Sequence, residues 1–290
     1  MMKKLIETNI SVGYAVKLGT AYLQEHNIEN AAYDSFALFA SITGMSRTDY
    51  FMKTDEVLSD EILCEYEKCI RLRAEHIPLQ HIIGKAYFYG REFQVNQNVL
   101  IPRPDTEILV EQTLQILKEE NSVLDMCTGS GCIILTLALE NKLKKAIGVD
   151  LSLDALEVAK KNYNQLQAEN VDFIQSDLFT ELNGVYDHAF DLIVSNPPYI
   201  RSDVIPTLSE EVRLHDPMMA LDGFDDGFYF YRKITEAAPA YLKKGGWLMY
   251  EIGYDQGKDV SEMMKISGFE DISVIQDLAG LDRVVRGRLL

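Results

Sequence analysis

Apolar residues recur at three- and four-residue spacings through the first 80 residues, which is the period of an amphipathic helix. The pattern is clearest in three stretches: VGYAVKLGTAYLQEH (12–26), ENAAYDSFALFASITG (29–44) and LSDEILCEYEKCIRLRAEH (58–76). Gly44 is placed to end the second helix, and Ser59 to begin the third. We therefore predict a helical bundle over residues 1–80, large enough to dock another protein.

The pattern changes at residues 86–101, where AYFYGREFQVNQNVLI alternates aromatic and β-branched residues with polar ones. Gly90 and the run Asn96-Gln97-Asn98 favour turns, so the alternation predicts a β-hairpin. The rigid segment IPRP follows and leads into the helical pattern TEILVEQTLQILKEE. We expect residues 81–105 to be a structured linker to a second domain at 106–290.

From residue 122 onward, short apolar stretches alternate with helical ones. The predicted strands are SVLDMC, KAIGVD, VDFIQSD, FDLIVSN, WLMYEI, ISVIQDL and DRVVRGRLL. The predicted helices between them are CIILTLALENK, SLDALEVAKKNYNQL, a segment near 226–242 and QGKDVSEMMKISG. This alternation predicts an α/β fold with a parallel sheet covered by helices.

Charge and composition narrow the range of partners. The formal net charge is −17, and the chain is acidic on both sides of residue 85. Nucleic-acid backbones are held largely by lysine and arginine, so we expect no direct nucleic-acid binding. Glu7 interrupts the apolar start, and apolar runs such as IILTLAL fall far short of the about 20 residues that a membrane span needs. We predict a cytoplasmic protein.

Four cysteines form two pairs, Cys64 with Cys69 and Cys127 with Cys132, each separated by four residues. No histidine lies at ligand spacing, and neither pair has the short Cys-x-x-Cys turn of a zinc site. We expect reduced thiols and no metal.

A glycine turn follows the strand that begins at residue 122, in the sequence Asp125-Met-Cys-Thr-Gly-Ser-Gly131. Gly129 and Gly131 allow the backbone to approach a ligand at the carboxyl end of that strand. A dinucleotide fingerprint needs a further glycine where Ile134 stands. The pyrophosphate motif is therefore incomplete, and a ligand without phosphates suits the same place.

Two aspartates end the next two predicted strands. Asp150 is placed to accept hydrogen bonds from both hydroxyls of a ribose, and Asp177 to face an adenine amino group. Either aspartate alone is also typical of a helix cap. In this order after the glycine turn, the two acids indicate a nucleoside without phosphates, which points to S-adenosylmethionine.

The strand IVSNPPYI (193–200) ends in Asn196, Pro197, Pro198 and Tyr199. Proline fixes φ near about −65° and has no N–H, so the backbone carbonyls are held still. We predict that the side-chain oxygen of Asn196 and the carbonyl of Pro197 accept both N–H groups of a planar NH₂, with Tyr199 stacked on it. Such positioning can supply ~7–11 kcal/mol, which makes a catalytic base unnecessary. The alternative is a tight turn that ends an edge strand.

The glycine turn, Asp150, Asp177 and Asn-Pro-Pro-Tyr together resemble class I methyltransferases that act on planar nitrogens. PLQHIIG (78–84), FYGREFQVNQNVLIPRPDTEILVE (88–111), SNPPYI and DRVVRG resemble the release-factor glutamine methyltransferases, the PrmC/HemK family. The resemblance implies a Rossmann-like domain with a mostly parallel seven-stranded sheet. It implies methyl transfer to N5 of the Gly-Gly-Gln glutamine of peptide chain release factors, with S-adenosyl-L-homocysteine as product.

The resemblance also implies roles for individual residues. The cofactor would be bound by Cys127, Thr128, Gly129, Ser130, Gly131, Asp150, Asp177, Leu178 and Asn196. The substrate would contact Arg103, Asn196, Pro197, Pro198 and Tyr199, of which Asn196, Pro197 and Tyr199 would be catalytic. Cys127 stands where glycine is common, so we expect its side chain to point away from the cofactor. Asp105 and Asp216 stand where glutamate is common.

Other candidates are left with less specific roles. Asp105 and Glu107 either line the site or cap the following helix. His81, His188 and His215 show no triad spacing and are expected to be structural, and Glu251 is expected to serve packing or capping.

Three rival functions stay open. A nucleic-acid adenine N-methyltransferase would present the same kind of NH₂ group, although the acidic charge opposes it. A ribosomal-protein glutamine methyltransferase would use identical chemistry. A non-catalytic binding protein would use the sheet only as a scaffold.

Overall fold

Helices and strands alternate along most of residues 9–290, the part of the chain that the computed structural model describes. The helices are α1 (Val12–Glu25), α2 (Ala31–Thr43), α3 (Arg47–Met52), α4 (Asp60–Ala74), α5 (Leu79–Ile83), α6 (Pro104–Leu114), α7 (Cys132–Glu140), α8 (Leu153–Leu166), α9 (Glu210–His215), α10 (Met218–Leu221), α11 (Tyr229–Tyr241) and α12 (Gly257–Ile266). The strands are β1 (Lys85–Phe88), β2 (Arg91–Gln94), β3 (Ser122–Met126), β4 (Lys145–Asp150), β5 (Val171–Gln175), β6 (Phe190–Ser195), β7 (Leu242–Glu251), β8 (Phe269–Gln276) and β9 (Asp282–Leu289). The predictions about the amino-terminal start fall on residues 1–8 and lie outside the described residues.

The first compact unit, residues 9–84 with 209–215, is a helical bundle. Both predicted helix ends are correct. Gly44 ends α2 in the left-handed conformation at φ 70°, which glycine adopts without steric cost. The Ser59 hydroxyl accepts a hydrogen bond from the Ile62 amide at the start of α4. The helices α3 and α5 were not predicted, because six and five residues are too few to show a helical period.

Helix α9 belongs to the bundle although it lies more than 120 residues further along the chain. Arg73 and Asp34 form a buried ion pair of 2.7 Å, and the same guanidinium donates to Glu211 of α9 at 2.8 Å. The pattern of apolar residues carries no sign of this attachment. The domain boundaries predicted at residues 80 and 105 stay predictions.

The second compact unit, residues 85–208 with 216–290, contains the predicted hairpin and the predicted sheet. The hairpin pairs β1 with β2 around Gly90, which has φ 72°. Its strands end at Gln94, and the Asn96 region forms a turn instead of a longer strand. Helix α6 begins two residues before its predicted start because Pro104 occupies its first turn, where the missing N–H costs nothing.

The sheet of the second unit has seven strands in the order β5-β4-β3-β6-β7-β9-β8. The strands from β5 to β7 are parallel to their neighbours, and β9 runs antiparallel to both β7 and β8. One hydrophobic cluster packs on each face, so both layers of helices are buried against the sheet. The predicted fold class is therefore confirmed. Among the described residues, no helix is both long enough and apolar enough to cross a membrane.

Parallel pairing decides where the candidate chemistry lies. The strands β5, β4, β3 and β6 lie side by side in that order and pair in parallel, so their carboxyl ends meet at one edge of the sheet. The glycine turn, the two acidic turns and the Asn-Pro-Pro-Tyr corner all follow these ends. Ligands of open α/β sheets bind at this edge.

Candidate active site

A cavity of about 250 Å³ lies at this carboxyl edge within the second unit. Most of the predicted site residues line it: Arg103, Cys127, Thr128, Gly129, Ser130, Asp150, Asp177, Leu178, Asn196 and Pro198. Gly131, Pro197 and Tyr199 are not among the lining residues. The residues predicted for the cofactor and those predicted for the substrate therefore share one chamber.

The glycine turn leaves free space in the cavity beside its backbone. Gly129 has φ 56°, and a Cβ added there would meet no atom within 4 Å, so the space beside it is free. Gly131 has a different role. With φ 79°, its added Cβ would meet Leu135 of α7 at 3.1 Å and Ala159 of α8 at 3.2 Å, so this glycine allows the start of α7 to lie close to α8.

Asp150 presents a fixed carboxylate to the cavity. Its Oδ2 accepts from the Gly129 amide at 2.8 Å, and its Oδ1 accepts from the Ser152 amide at 2.9 Å. Burial raises the pKa of Asp150, and these backbone hydrogen bonds oppose the rise. Each carboxylate oxygen keeps capacity for a further hydrogen bond, which is the arrangement that a pair of ribose hydroxyls requires.

The acidic turn after β5 differs from the prediction. The strand ends at Gln175, so Asp177 lies two residues beyond it instead of at its end. Asp177 is exposed at the wall of the cavity, and its carbonyl accepts from the Thr180 hydroxyl at 2.7 Å. Leu178 follows with φ 50°, a conformation that side chains rarely adopt.

Asp125 is a buried acid for which no role was predicted. It is fully buried, and its Oδ2 accepts from the Thr128 hydroxyl at 2.5 Å. Hydrogen bonding by Thr128 and by the Ile134 backbone favours its charged form. Burial raises the pKa of Asp125 to about 7. Its position as the first residue of the glycine motif was the sequence feature that could have marked it as part of the site.

The corner after β6 turns Asn196 toward the cavity. The Asn196 Nδ2 group donates to the Thr106 hydroxyl at 3.3 Å, so the NH₂ end of this amide has a protein partner. Pro198 lines the same wall. The Tyr199 ring packs half-buried against the hydrophobic cluster of one sheet face, and burial raises the pKa of its phenol. The predicted stacking of Tyr199 on the substrate stays a prediction.

A loop at residues 221–228 holds this corner in place. The Ile200 carbonyl accepts from the Gly223 amide at 2.7 Å, and the Ile200 amide donates to the Leu221 carbonyl at 3.0 Å. The buried Gln256 donates to the Tyr199 carbonyl at 3.2 Å and to the Gly227 carbonyl at 3.3 Å. These residues were missed because nothing in their local pattern marks a contact with a corner tens of residues away.

Arg103 and its acidic neighbours have separate partners. The Arg103 guanidinium lines the cavity and pairs with the buried Asp216 at 2.8 Å. Glu107 accepts from the Tyr89 amide at 2.7 Å, and Asp105 pairs with Arg283 at 3.4 Å. Asp105 and Glu107 both lie in the first turn of α6 and do not line the cavity.

The other singled-out residues make structural contacts. His188 bonds through Nδ1 to the Leu242 carbonyl at 2.9 Å, and His215 bonds to the Glu75 carbonyl at 3.0 Å. The four cysteines are free. Within residues 9–290, no group of three or more His, Cys, Asp and Glu residues is arranged to hold a metal ion.

Comparison with known proteins identifies the family. A family model described as the PrmC N-terminal domain matches residues 15–84, and a model described as a methyltransferase domain matches residues 117–272. The release factor glutamine methyltransferase of Geobacter sulfurreducens is 41% identical over 92% of this chain and 93% of its own length. The chain belongs to the release factor glutamine methyltransferase family. The family resemblance predicted from the motifs is confirmed, and the chain is a methyltransferase.

Other relatives of this family and its fold agree. The release factor glutamine methyltransferase of Fusobacterium nucleatum is 39% identical over 91% of this chain and 75% of its own length. A solved methyltransferase from Pyrococcus furiosus, 16% identical, has a TM-score of 0.51 over 69% of this chain and 90% of that one. This likeness shows the shared fold.

Proposed function

We propose that this protein transfers a methyl group from S-adenosylmethionine to the side-chain nitrogen N5 of the Gly-Gly-Gln glutamine in peptide chain release factors. The observation that carries the proposal is Asn196, whose NH₂ group is bonded to Thr106 while the residue lines the cavity. Its oxygen is thereby the end of the amide left for a substrate N–H. Family membership supports the nature of the substrate.

The residues of the cavity fit S-adenosylmethionine. Asp150 offers acceptors for the ribose hydroxyls, and Asp177 with Leu178 lines the wall where the adenine would lie. The turn from Cys127 to Ser130 would lie beside the methionine part, where Gly129 leaves open space. The acidic side chains of Asp150 and Asp177 line the cavity, which favours a cation.

When bound, the cofactor supplies a methyl group on a sulfonium, so that an N–C bond forms as the C–S bond breaks and the nitrogen releases one proton to solvent. The protein contributes orientation. We infer that Asn196 Oδ1 and the Pro197 carbonyl accept the two N–H groups of the glutamine, as predicted for this corner. These acceptors aim the nitrogen and favour a transition state in which its N–H groups become more acidic.

The bundle, predicted over residues 1–80, would bind the release factor while the methyltransferase domain admits the glutamine-bearing loop. We place the reaction in the cytoplasm. A ribosomal-protein glutamine would suit the same corner, and so would an adenine amino group. The net charge of −17 favours a protein over a nucleic acid as the substrate.

The test is methyl transfer from radiolabelled S-adenosylmethionine to a purified release factor, beside the same factor with the Gly-Gly-Gln glutamine replaced by alanine. We expect label on the first factor and none on the second. Equal label on both would contradict the choice of glutamine. Label on neither, with cofactor binding intact, would contradict the choice of substrate, and ribosomal protein and RNA would then be tried.

A further inference from the structure

Two buried polar side chains stand directly behind Asn196 and take no part in the chemistry described so far. Thr106 lies in α6 and is 3% exposed, and Glu251 ends β7 and is 2% exposed. A glutamate is rarely buried without a partner. Side-chain hydrogen bonding by Thr106 and by Asn196 favours the charged form of Glu251, against the burial that raises its pKa. The sequence predicted only packing or capping for Glu251.

Asn196, Thr106 and Glu251 form a series of contacts in which each donor and acceptor role can be assigned. Asn196 Nδ2 donates to Thr106 Oγ1 at 3.3 Å, so the threonine hydroxyl acts there as an acceptor. A hydroxyl that accepts has its own hydrogen free to donate elsewhere. The Glu251 carboxylate is suited to that role, since it has only acceptors and both Thr106 and Asn196 favour its charged form.

This direction matters because an asparagine amide can be turned either way. Its oxygen and NH₂ ends have nearly the same shape but opposite hydrogen-bonding roles. A substrate NH₂ group needs the oxygen end. If Thr106 donated to Asn196 instead of accepting from it, the amide would turn and present two more donors to a substrate that also donates.

We propose that Thr106 and Glu251 are positioning residues that set the orientation of the Asn196 amide, so that its oxygen faces the nitrogen to be methylated. The inference rests on the proposed function, because it assigns a purpose to the acceptor in that reaction. Asp105 and Arg283 are the charged groups that also act on Glu251, Asp105 by raising its pKa and Arg283 by lowering it. The contact of 3.3 Å from Asn196 Nδ2 to Thr106 Oγ1 carries the direction, and Glu251 supports it as an acceptor for both side chains.

The test compares variants of one helix. Thr106→Val removes the hydroxyl and keeps the shape, Thr106→Ser keeps the hydroxyl, and Thr113→Val is the matched control. Thr113 is also a fully buried threonine of α6, but its hydroxyl bonds to the Leu109 carbonyl. We expect Thr106→Val and Glu251→Gln to lower kcat by at least about tenfold with KM for the release factor unchanged, a loss of the kind seen when a transition-state contact is removed. Thr106→Ser and Thr113→Val should stay within about threefold of the wild type.

A double-mutant cycle separates positioning from general damage. In an Asn196→Ala background, Thr106→Val should cause no further loss, because residues that act through one group are not additive. Losses that multiply, or a Thr106→Val variant with wild-type kcat, would overturn the inference.

A spectroscopic measurement distinguishes failure of the proposed amide orientation from an error in the proposed substrate. Wild-type protein that leaves the release factor unlabelled would overturn the proposed function. The side-chain N–H signals of Asn196 in an NMR spectrum should still shift in Thr106→Val and stay in place in Thr113→Val. Signals unmoved by Thr106→Val would overturn the orientation itself.

Discussion

Asp150 shows at the scale of one residue how the backbone prepares a binding group. Two amides, of Gly129 and Ser152, hold its oxygens at 2.8 and 2.9 Å before any ligand is bound. Because the carboxylate is already oriented and partly desolvated, little further ordering is needed when a ligand binds to it. The direction of this side chain is set by its neighbours and is not left to rotamer choice.

We predict that Asp150→Asn weakens S-adenosylmethionine binding by about 10- to 100-fold, the range expected for losing a charge-assisted hydrogen bond. Asparagine keeps one acceptor and replaces the other with a donor, so one ribose hydroxyl and one backbone amide lose their partner. Calorimetric titration with the cofactor measures the effect. Asp154→Asn, an exposed aspartate of the next helix, is the control. Equal affinities for the two variants would contradict the role of Asp150.

Cys127 shows how a side chain is accommodated where the family often has glycine. Its backbone has φ 63°, a region that favours glycine. The side chain packs half-buried against the core cluster, and burial raises the pKa of its thiol well above the usual range. The small, neutral thiol thus adds neither charge nor much volume to the cavity wall. That it points away from the cofactor stays a prediction.

At the scale of elements, the active-site corner depends on backbone packed directly against backbone. A Cβ added to Gly227 would lie 2.6 Å from the Tyr199 carbonyl, and one added to Gly223 would lie 2.8 Å from the Tyr199 Cα. Only glycine lets the loop approach this closely. The corner is therefore held between β6 and a loop that follows it by more than 20 residues.

We predict that Gly227→Ala lowers the rate of methyl transfer by at least tenfold while cofactor affinity changes little, since a shift of about 1 Å at a reacting group can cost about 100-fold. Gly184→Ala is the matched control. Gly184 has φ 71°, close to the 77° of Gly227, so both variants bear the same backbone strain, but its Cβ would meet nothing within 4 Å. Similar rates for the two variants would mean that strain, and not the approach to Tyr199, explains any loss.

Long helices were predictable and short helices were not. The periods of α1, α2, α4 and α8 extend over thirteen residues or more, so their apolar faces stand out. The helices α9 and α10, with six and four residues, show no such face. The strand β7 begins five residues before its predicted start, because the polar segment LKKGG contributes backbone pairing without an apolar signal.

At the scale of the whole molecule, buried acids link stability to pH. Burial raises the pKa of Asp125 from its ordinary 3.8 to about 7. The folded state therefore favours the neutral acid. The contribution of Asp125 to the free energy of unfolding is fully present below pH 3.8 and is lost as the pH rises through 7. Burial raises the pKa of Glu251 to about 7 as well, with the same sign.

We predict that Asp125→Asn makes the free energy of unfolding less dependent on pH between about 4 and 7. Relative to the wild type, the variant should gain stability as the pH rises, by up to about 1.4 kcal/mol per pH unit, and the difference should level off above pH 8. Urea unfolding at a series of pH values measures this. Asp55→Asn, an exposed aspartate, should run parallel to the wild type. A parallel course for Asp125→Asn would contradict the burial effect.

The family, the α/β fold and ten of the residues that line the cavity were predictable from the sequence alone. The reason is that these depend on signals local in the chain: the alternation of strands and helices, the glycine turn and the Asn-Pro-Pro-Tyr corner. The residues that contact and support this corner became visible only in the tertiary structure. Thr106, Glu251 and Gln256 come from a helix start, a strand end and a loop, and only the parallel sheet brings them to Asn196 and Tyr199. Hydrogen bonds across such separations leave no periodic pattern in the sequence.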